Sequence, residues 1–147
     1  MRLMTIASGS SGNAGYLGSE STHLLIDAGI SRRRIVQGLE VAGLKPGELS
    51  GVLLTHEHAD HVCGLKVLLK KDAIPLYATA GTLAVIKKKG LLDEFPAERI
   101  HVIRGGEAFS LGDLTVLPLS IDHDAAEPVG YRVTNGSKSA AFLTDLG

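Results

Sequence analysis

The sequence predicts an α/β domain built in layers, and three observations predict it. Over the first two thirds, apolar runs of strand length alternate with stretches of helical spacing; the last third is a series of strand-like runs closed by a hairpin signal; and one ligand-rich loop sits where a strand hands over to a helix. No internal repeat, low-complexity tract or linker interrupts the 147 residues, so residues 1–147 read as one compact unit. A chain of this length can bury a sizeable core.

Taken in order, Arg2 to Ala7, Ala14 to Gly18 and His23 to Asp27 are short apolar runs broken by Gly, Ser and Glu, the pattern of a strand meander. Ser31 is placed to cap a helix that carries Ile35, Val36, Leu39 and Ala42 at helical spacing and stops at Gly43. After the turn "KPGEL", Val52 to Thr55 reads as a buried strand, and His61 to Lys71 as a helix with Val62, Leu65, Leu68 and Leu69 inward. Leu76 to Ala78 is the next strand and Leu83 to Lys89 the next helix, closed by Gly90. Arg99 to Ile103, Glu107 to Leu111 and Leu114 to Ile121 are strand-like, with "LGD" as a tight turn; Val129 to Thr134 and Lys138 to Leu143 flank "NGS", a hairpin signal. The closing "AFLTDLG" leaves an apolar strand on a polar pair of the kind that opens a functional loop, so the chain reads as cut there.

A formal net charge of −1 gives no global attraction to nucleic acid or membrane, and any such partner would have to be held by a local patch. The single cysteine, Cys63, cannot form an internal disulfide, which fits a reducing compartment and makes the cytoplasm the default. Its packing tendency alone predicts burial. No stretch approaches the roughly 20 apolar residues of a membrane span, and the apolar run at the start is too short for a signal peptide.

"THEHADH", Thr55 to His61, carries the chemistry. In an extended segment residues two apart point the same way, so His56 and His58 can grip one ion together. Asp60 and His61 follow as the chain turns toward a helix and can reach a second ion nearby. Imidazole and carboxylate suit zinc and similar divalent cations. The H-E-x-x-H of metalloproteases is a different pattern, because it needs a histidine at position 60, where Asp60 stands, and a helix throughout. A bare polar loop that binds nothing would not need this many ligand types at this spacing. His123, in "SIDHDAAEP", sits at a strand end among acids and would complete a first metal that otherwise has two ligands.

"THEHADH", the early "LLIDAG", the later "DHDAAEPVGY" and the terminal "FLTDLG" together resemble the metallo-β-lactamase fold hydrolases, and the opening "ASGSSGNAGYL" is similar to their branch linked to DNA processing. The resemblance implies a four-layer α/β-β/α sandwich, of which this chain would be the N-terminal half, with the family's domain continuing past Gly147. It implies two divalent metal ions, zinc first, with manganese or iron as alternatives. His56, His58 and His123 would hold the first ion; Asp60 and His61 the second; Asp145 would bridge both, and a further histidine of the family lies beyond this chain. His58 stands where oxygen-reducing di-iron relatives carry Glu, which favours hydrolysis. The implied reaction is metal-assisted hydrolysis by an in-line water, with Asp60 as the catalytic residue that orients it. Asp27 resembles the family's aspartate that steadies the histidine loop; a plain strand-ending turn before Gly29 is the alternative.

Weaker signals complete the reading. Ser10, Ser11 and Asn13 lie in a turn-rich loop, which by itself is a flexible turn and which the resemblance moves to the substrate rim. Lys70, Lys71, Lys87, Lys88 and Lys89 fall at helix C-terminal ends, where cations are favoured. Arg32, Arg33 and Arg34 read as a solvated face, with a phosphate contact as the minor alternative. His23 and His101 read as structural. The expected function is a phosphodiesterase or exonuclease acting on DNA. RNA processing, cleavage of a thioester or lactone, and a non-catalytic metal-stabilised module are the rivals, and "IDHDAAEPVG" lacks the "PGHTPG"-like turn of the thioester and lactone enzymes.

Overall fold

A computed structural model describes residues 1–143. Strands β1 (Arg2–Ala7), β2 (Ala14–Gly18) and β3 (His23–Ile26) form an antiparallel meander that continues, in sequence order, into β4 (Gly51–Leu53), β5 (Leu76–Thr79) and β6 (Ile100–Ile103). From β3 to β6 every pairing is parallel. Parallel neighbours need a crossover, and α1 (Arg32–Val41), the pair α2 (Ala59–Val62) and α3 (Leu65–Asp72), and α4 (Ala80–Lys88) supply them. A second sheet is antiparallel, in the order β10, β9, β8, β7, from β7 (Phe109–Leu111), β8 (Leu114–Ser120), β9 (Val129–Asn135) and β10 (Lys138–Phe142).

Side-chain alternation along each strand decides which layer each residue joins. In β3, Leu25 faces the helices, where it joins Ile35, Leu39, Leu65, Leu68 and Ile86. Its neighbours Leu24 and Ile26 face the other way and meet Val116, Tyr131 and Val133 of the second sheet. Two apolar cores therefore lie on opposite faces of the first sheet, and β2 and β4 are buried at every position, as a strand covered on both sides must be. The described residues make three layers: helices, mixed sheet, antiparallel sheet.

Several boundaries differ from the sequence reading. The helix expected over His61 to Lys71 is two pieces, α2 and α3, because the chain must squeeze past the turn after β3 at Gly64. The Gly64 N–H goes to the Ala28 carbonyl at 2.8 Å, and a Cβ at Gly64 would sit 1.8 Å from the Ile30 oxygen. The helix expected from Leu83 begins at Ala80, since Thr79 caps it by accepting from Thr82 N–H. Strand β7 starts at Phe109, because Glu107 N–H turns back onto the Arg104 carbonyl. Strand β3 stops at Ile26 because Asp27 adopts a left-handed φ of 64°, which costs a non-glycine residue about 1–3 kcal/mol and persists only where its surroundings demand it.

Candidate metal centre

The C-terminal ends of the parallel strands converge on one edge of the first sheet, and the motif loop leaves from there. Beyond β4, His56 is buried, and His58 is half-buried with extended backbone at the start of α2. Their rings lie 4.6 Å apart by centroid. His123 arrives from the β8–β9 connection, 67 residues beyond His56 in sequence, with its ring 4.8 Å from His56 and 5.2 Å from His58. One ligand atom from each of His56, His58 and His123 lies within 4.8 Å of the others. The short helix α2 turns His61 back over the same site, 4.1 Å from His56 by ring centroid, and holds its Nε2 3.5 Å from Asp60 Oδ2.

These donors fit a divalent cation. Nδ1 of His123 is buried without a hydrogen-bond partner among the described residues. Such an atom costs free energy unless something else occupies it. Burial first, and then the neighbouring His61, His58 and His123 rings, push the His56 pKa down to about 3, so its imidazole is neutral and able to ligate at neutral pH.

Proton positions in the cluster follow from a buried hub at Asp27. Its Oδ1 accepts the Thr55 N–H at 2.8 Å, and its Oδ2 accepts from the Thr55 hydroxyl and from His61 Nδ1, each at 2.7 Å. A hydroxyl has one proton to give, so Thr55 Oγ, 2.9 Å from His56 Nδ1, is the acceptor there. Both His56 and His61 thus carry their protons on Nδ1 and present Nε2 to the site. Such outer partners fix ring orientation and raise the basicity of the ligand. Burial raises the pKa of Asp27, against the opposing effects of its bonds to His61 and Thr55. The strained φ of Asp27 aims its carboxylate into this hub.

Asn13 ties the glycine-rich loop to the site. Its side chain closes a ring with Gly9, accepting the Gly9 N–H at 3.1 Å and donating to the Gly9 carbonyl at 2.8 Å, and its Nδ2 also reaches Asp60 Oδ2 at 3.1 Å. Gly29 packs so closely here that a Cβ would sit 1.7 Å from the Asp60 carbonyl oxygen. Ser10 and Asn13 line a cavity of about 670 Å³ together with Asp27, Asp60, His61 and Phe142, while Ser11 is exposed and outside that lining. Asp145 lies outside the described residues.

Three residues at the centre take roles that the sequence reading did not assign. Thr55 links Asp27 to His56; Glu57 accepts the Ala126 N–H at 2.9 Å; Tyr131, fully buried, donates its hydroxyl to the Leu54 carbonyl just before the motif. Thr55 and Glu57 stand inside the motif, but only the fold shows what they touch. Cys63 is exposed rather than buried, because the turn into Gly64 faces it outward, and its thiol bonds the Gly29 carbonyl at 3.0 Å. Arg32 is not simply solvated: its guanidinium grips Asp72 at 2.8 and 3.1 Å. His23 bonds the Tyr16 hydroxyl, and His101 stacks on Tyr77 at 4.6 Å, apart from the histidine cluster. Among the described residues no helix is long and apolar enough to cross a membrane.

Fold and histidine cluster together define a class. The model of the beta-lactamase superfamily domain matches residues 22–147, and the chain belongs to that family. Its fold is the metallo-β-lactamase fold: it superposes on a Cronobacter sakazakii metallo-beta-lactamase with a HARLDQ motif with a TM-score of 0.79 at 19% identity, over 97% of this chain and 56% of that one. A subclass B3 metallo-beta-lactamase from a soil metagenome library, MEM-A1, gives a TM-score of 0.69 at 25% identity over 89% of this chain and 55% of its own. Within the family, the chain is 37% identical to the exodeoxyribonuclease WalJ of Streptococcus pneumoniae over 97% of its length and 53% of that protein's. It is 35% identical to the exodeoxyribonuclease YycJ of Bacillus anthracis over 100% of its length and 55% of that protein's. The chain thus spans about half the length of the curated relatives it matches.

Proposed function

We propose that this chain carries the metal-binding part of a nuclease that hydrolyses phosphodiester bonds of DNA. The observation that carries the reading is the convergence of His56, His58 and His123, ligand atoms within 4.8 Å, on a chain similar to two exodeoxyribonucleases. In this reading those three histidines would hold one divalent cation and Asp60 and His61 would hold a second, with Asp145, outside the described residues, as a further ligand. Zinc accepts such a mixed imidazole and carboxylate set. Bound cations would supply Lewis acidity and lower the pKa of an attacking water.

The chain's own residues do the rest. Asp27 and Thr55 hold two imidazoles in the ligating tautomer. Asp60, the catalytic residue of this reading, has one carboxylate oxygen engaged by Asn13 and is thereby oriented over the cavity, where it directs the water. Ser10 and Asn13 form the rim that meets the substrate, with Ser11 beside them on the exposed side.

The test is release of nucleotides from 5′-labelled duplex and single-stranded DNA by the zinc- or manganese-loaded chain. Activity that disappears with His58→Ala supports the reading; robust cleavage of a small thioester with DNA left intact would sink it. RNA is a second substrate to assay in parallel, since the chain is also 30% identical, over 67% of its length, to a ribonuclease Z of Thermosynechococcus vestitus.

A further inference from the structure

His123 is the ligand candidate furthest from the motif, and its own segment gives it little support. Residues 121–128 between β8 and β9 form no helix or strand. Two short backbone bonds run within the loop, Ile121 N–H to the Pro128 carbonyl at 3.2 Å and Ala125 N–H to the His123 carbonyl at 2.9 Å. Every other bond that holds it comes from outside.

Two carboxylates supply most of that hold. Glu57 stands between His56 and His58, so in an extended segment its side chain leaves from the opposite side of the backbone. There it is buried, and its Oε2 accepts the Ala126 N–H, three residues beyond His123, at 2.9 Å. Glu127 Oε1 accepts the Gly81 N–H at the start of α4 at 2.8 Å, and its carbonyl accepts the Thr79 hydroxyl at 2.8 Å. Carboxylate and helix N-terminus suit each other electrostatically. Gly81 makes the approach possible, because a Cβ there would lie 2.7 Å from Glu127 Cβ. Oε1 of Glu57 and Nδ1 of His123 are the buried side-chain atoms left without a partner among the described residues, and they flank the same seam.

We infer that Glu57 is a positioning residue for His123, with Glu127 as its support on the far side of the loop. The residue between the two motif histidines then has a task of its own: it sets the distance from which the third imidazole closes on the other two. This rests on the reading of His123 as a ligand. What Glu57 must provide is an acceptor for one N–H, not a charge.

The experiment compares Glu57→Gln with Glu57→Met, which match in length and differ in the acceptor. Zinc affinity is measured by competition with a chromophoric chelator, and the visible spectrum of the cobalt-loaded protein reports the ligand set. Glu57→Gln keeps both within about threefold, whereas Glu57→Met loses about 10–100-fold in zinc affinity, as removal of outer-sphere support does, and changes the cobalt bands. Should Glu57→Met fail to fold, Glu127→Met reads the same seam by the same criterion. A Glu57→Met protein that melts lower without metal yet gives the wild-type cobalt spectrum overturns the inference, as does equal loss in both Glu57 variants. His123→Ala separates the two levels: if it too leaves the cobalt spectrum unchanged, the ligand reading falls; if it alone changes it, the positioning role falls.

Discussion

The two loops that deliver histidines to this centre are built on different terms. The motif loop, Thr55 to His61, is buried at most positions, and its side chains Thr55 and His61 meet at an interior hub, Asp27, through bonds of 2.7 to 2.8 Å. The His123 loop is half-exposed, has no regular structure, and is pinned at its edges by Glu57 and Glu127. One half of the proposed ligand set is therefore a product of the core, and the other is a product of contacts across a seam. A histidine fixed by the core should be lost only with the fold; one fixed by a seam can be displaced while the fold stands.

The sharpest way to break that contrast is Asp27→Ala. It removes the acceptor shared by the buried His61 Nδ1 and by the Thr55 N–H and hydroxyl, and loss of a buried hydrogen-bond partner costs about 1–3 kcal/mol for each group affected. Urea denaturation should show that loss even in metal-free protein; a cost below about 1 kcal/mol would mean the hub is not what holds the motif loop. Thr55→Val is the next step down. It leaves His56 Nδ1 buried without its partner, at about 1–3 kcal/mol, and it should weaken zinc binding as well as stability. Gly81→Ala probes the other loop. A methyl group 2.7 Å from Glu127 Cβ pushes the seam apart, so zinc affinity should fall severalfold while the apo midpoint in urea barely moves. Equal effects on both would erase the distinction.

A pH dependence sharpens the contrast from another side. In the folded metal-free protein His56 titrates at about 3 rather than near 6.5, so between those values the unfolded chain binds a proton that the native chain does not. Stability therefore falls as pH drops from about 6.5 toward 3. A metal-free melting series should show this slope, and His56→Gln should flatten it. A slope unchanged in that variant would assign the effect to other groups.

Much of this was legible in the sequence because it is local. The apolar run in "HLLID" marks a buried strand, and the spacing H-x-H-x-D-H sets His56 beside His58, without knowledge of the rest of the chain. His123 was legible as a candidate, but its approach to 4.8 Å of His56 depends on the second sheet. The break at Gly64 was not legible, since it answers a carbonyl at Ile30, in another element. Nor was the exposure of Cys63, which follows from that break, nor the partner of Arg32, which lies 40 residues away at Asp72. Short-range pattern reads which face a residue takes; it is blind to what the opposite face brings.

The hydroxyl of Tyr131 reaches from the second sheet through the inter-sheet core to the carbonyl of Leu54. The two sheets consequently cannot part independently: any opening that separates them must break a buried bond at the residue next to the metal-binding motif. Amide protons of β4 and β9 should then exchange with solvent as one cooperative unit, while β1, with its largely exposed pattern at the sheet edge, exchanges earlier.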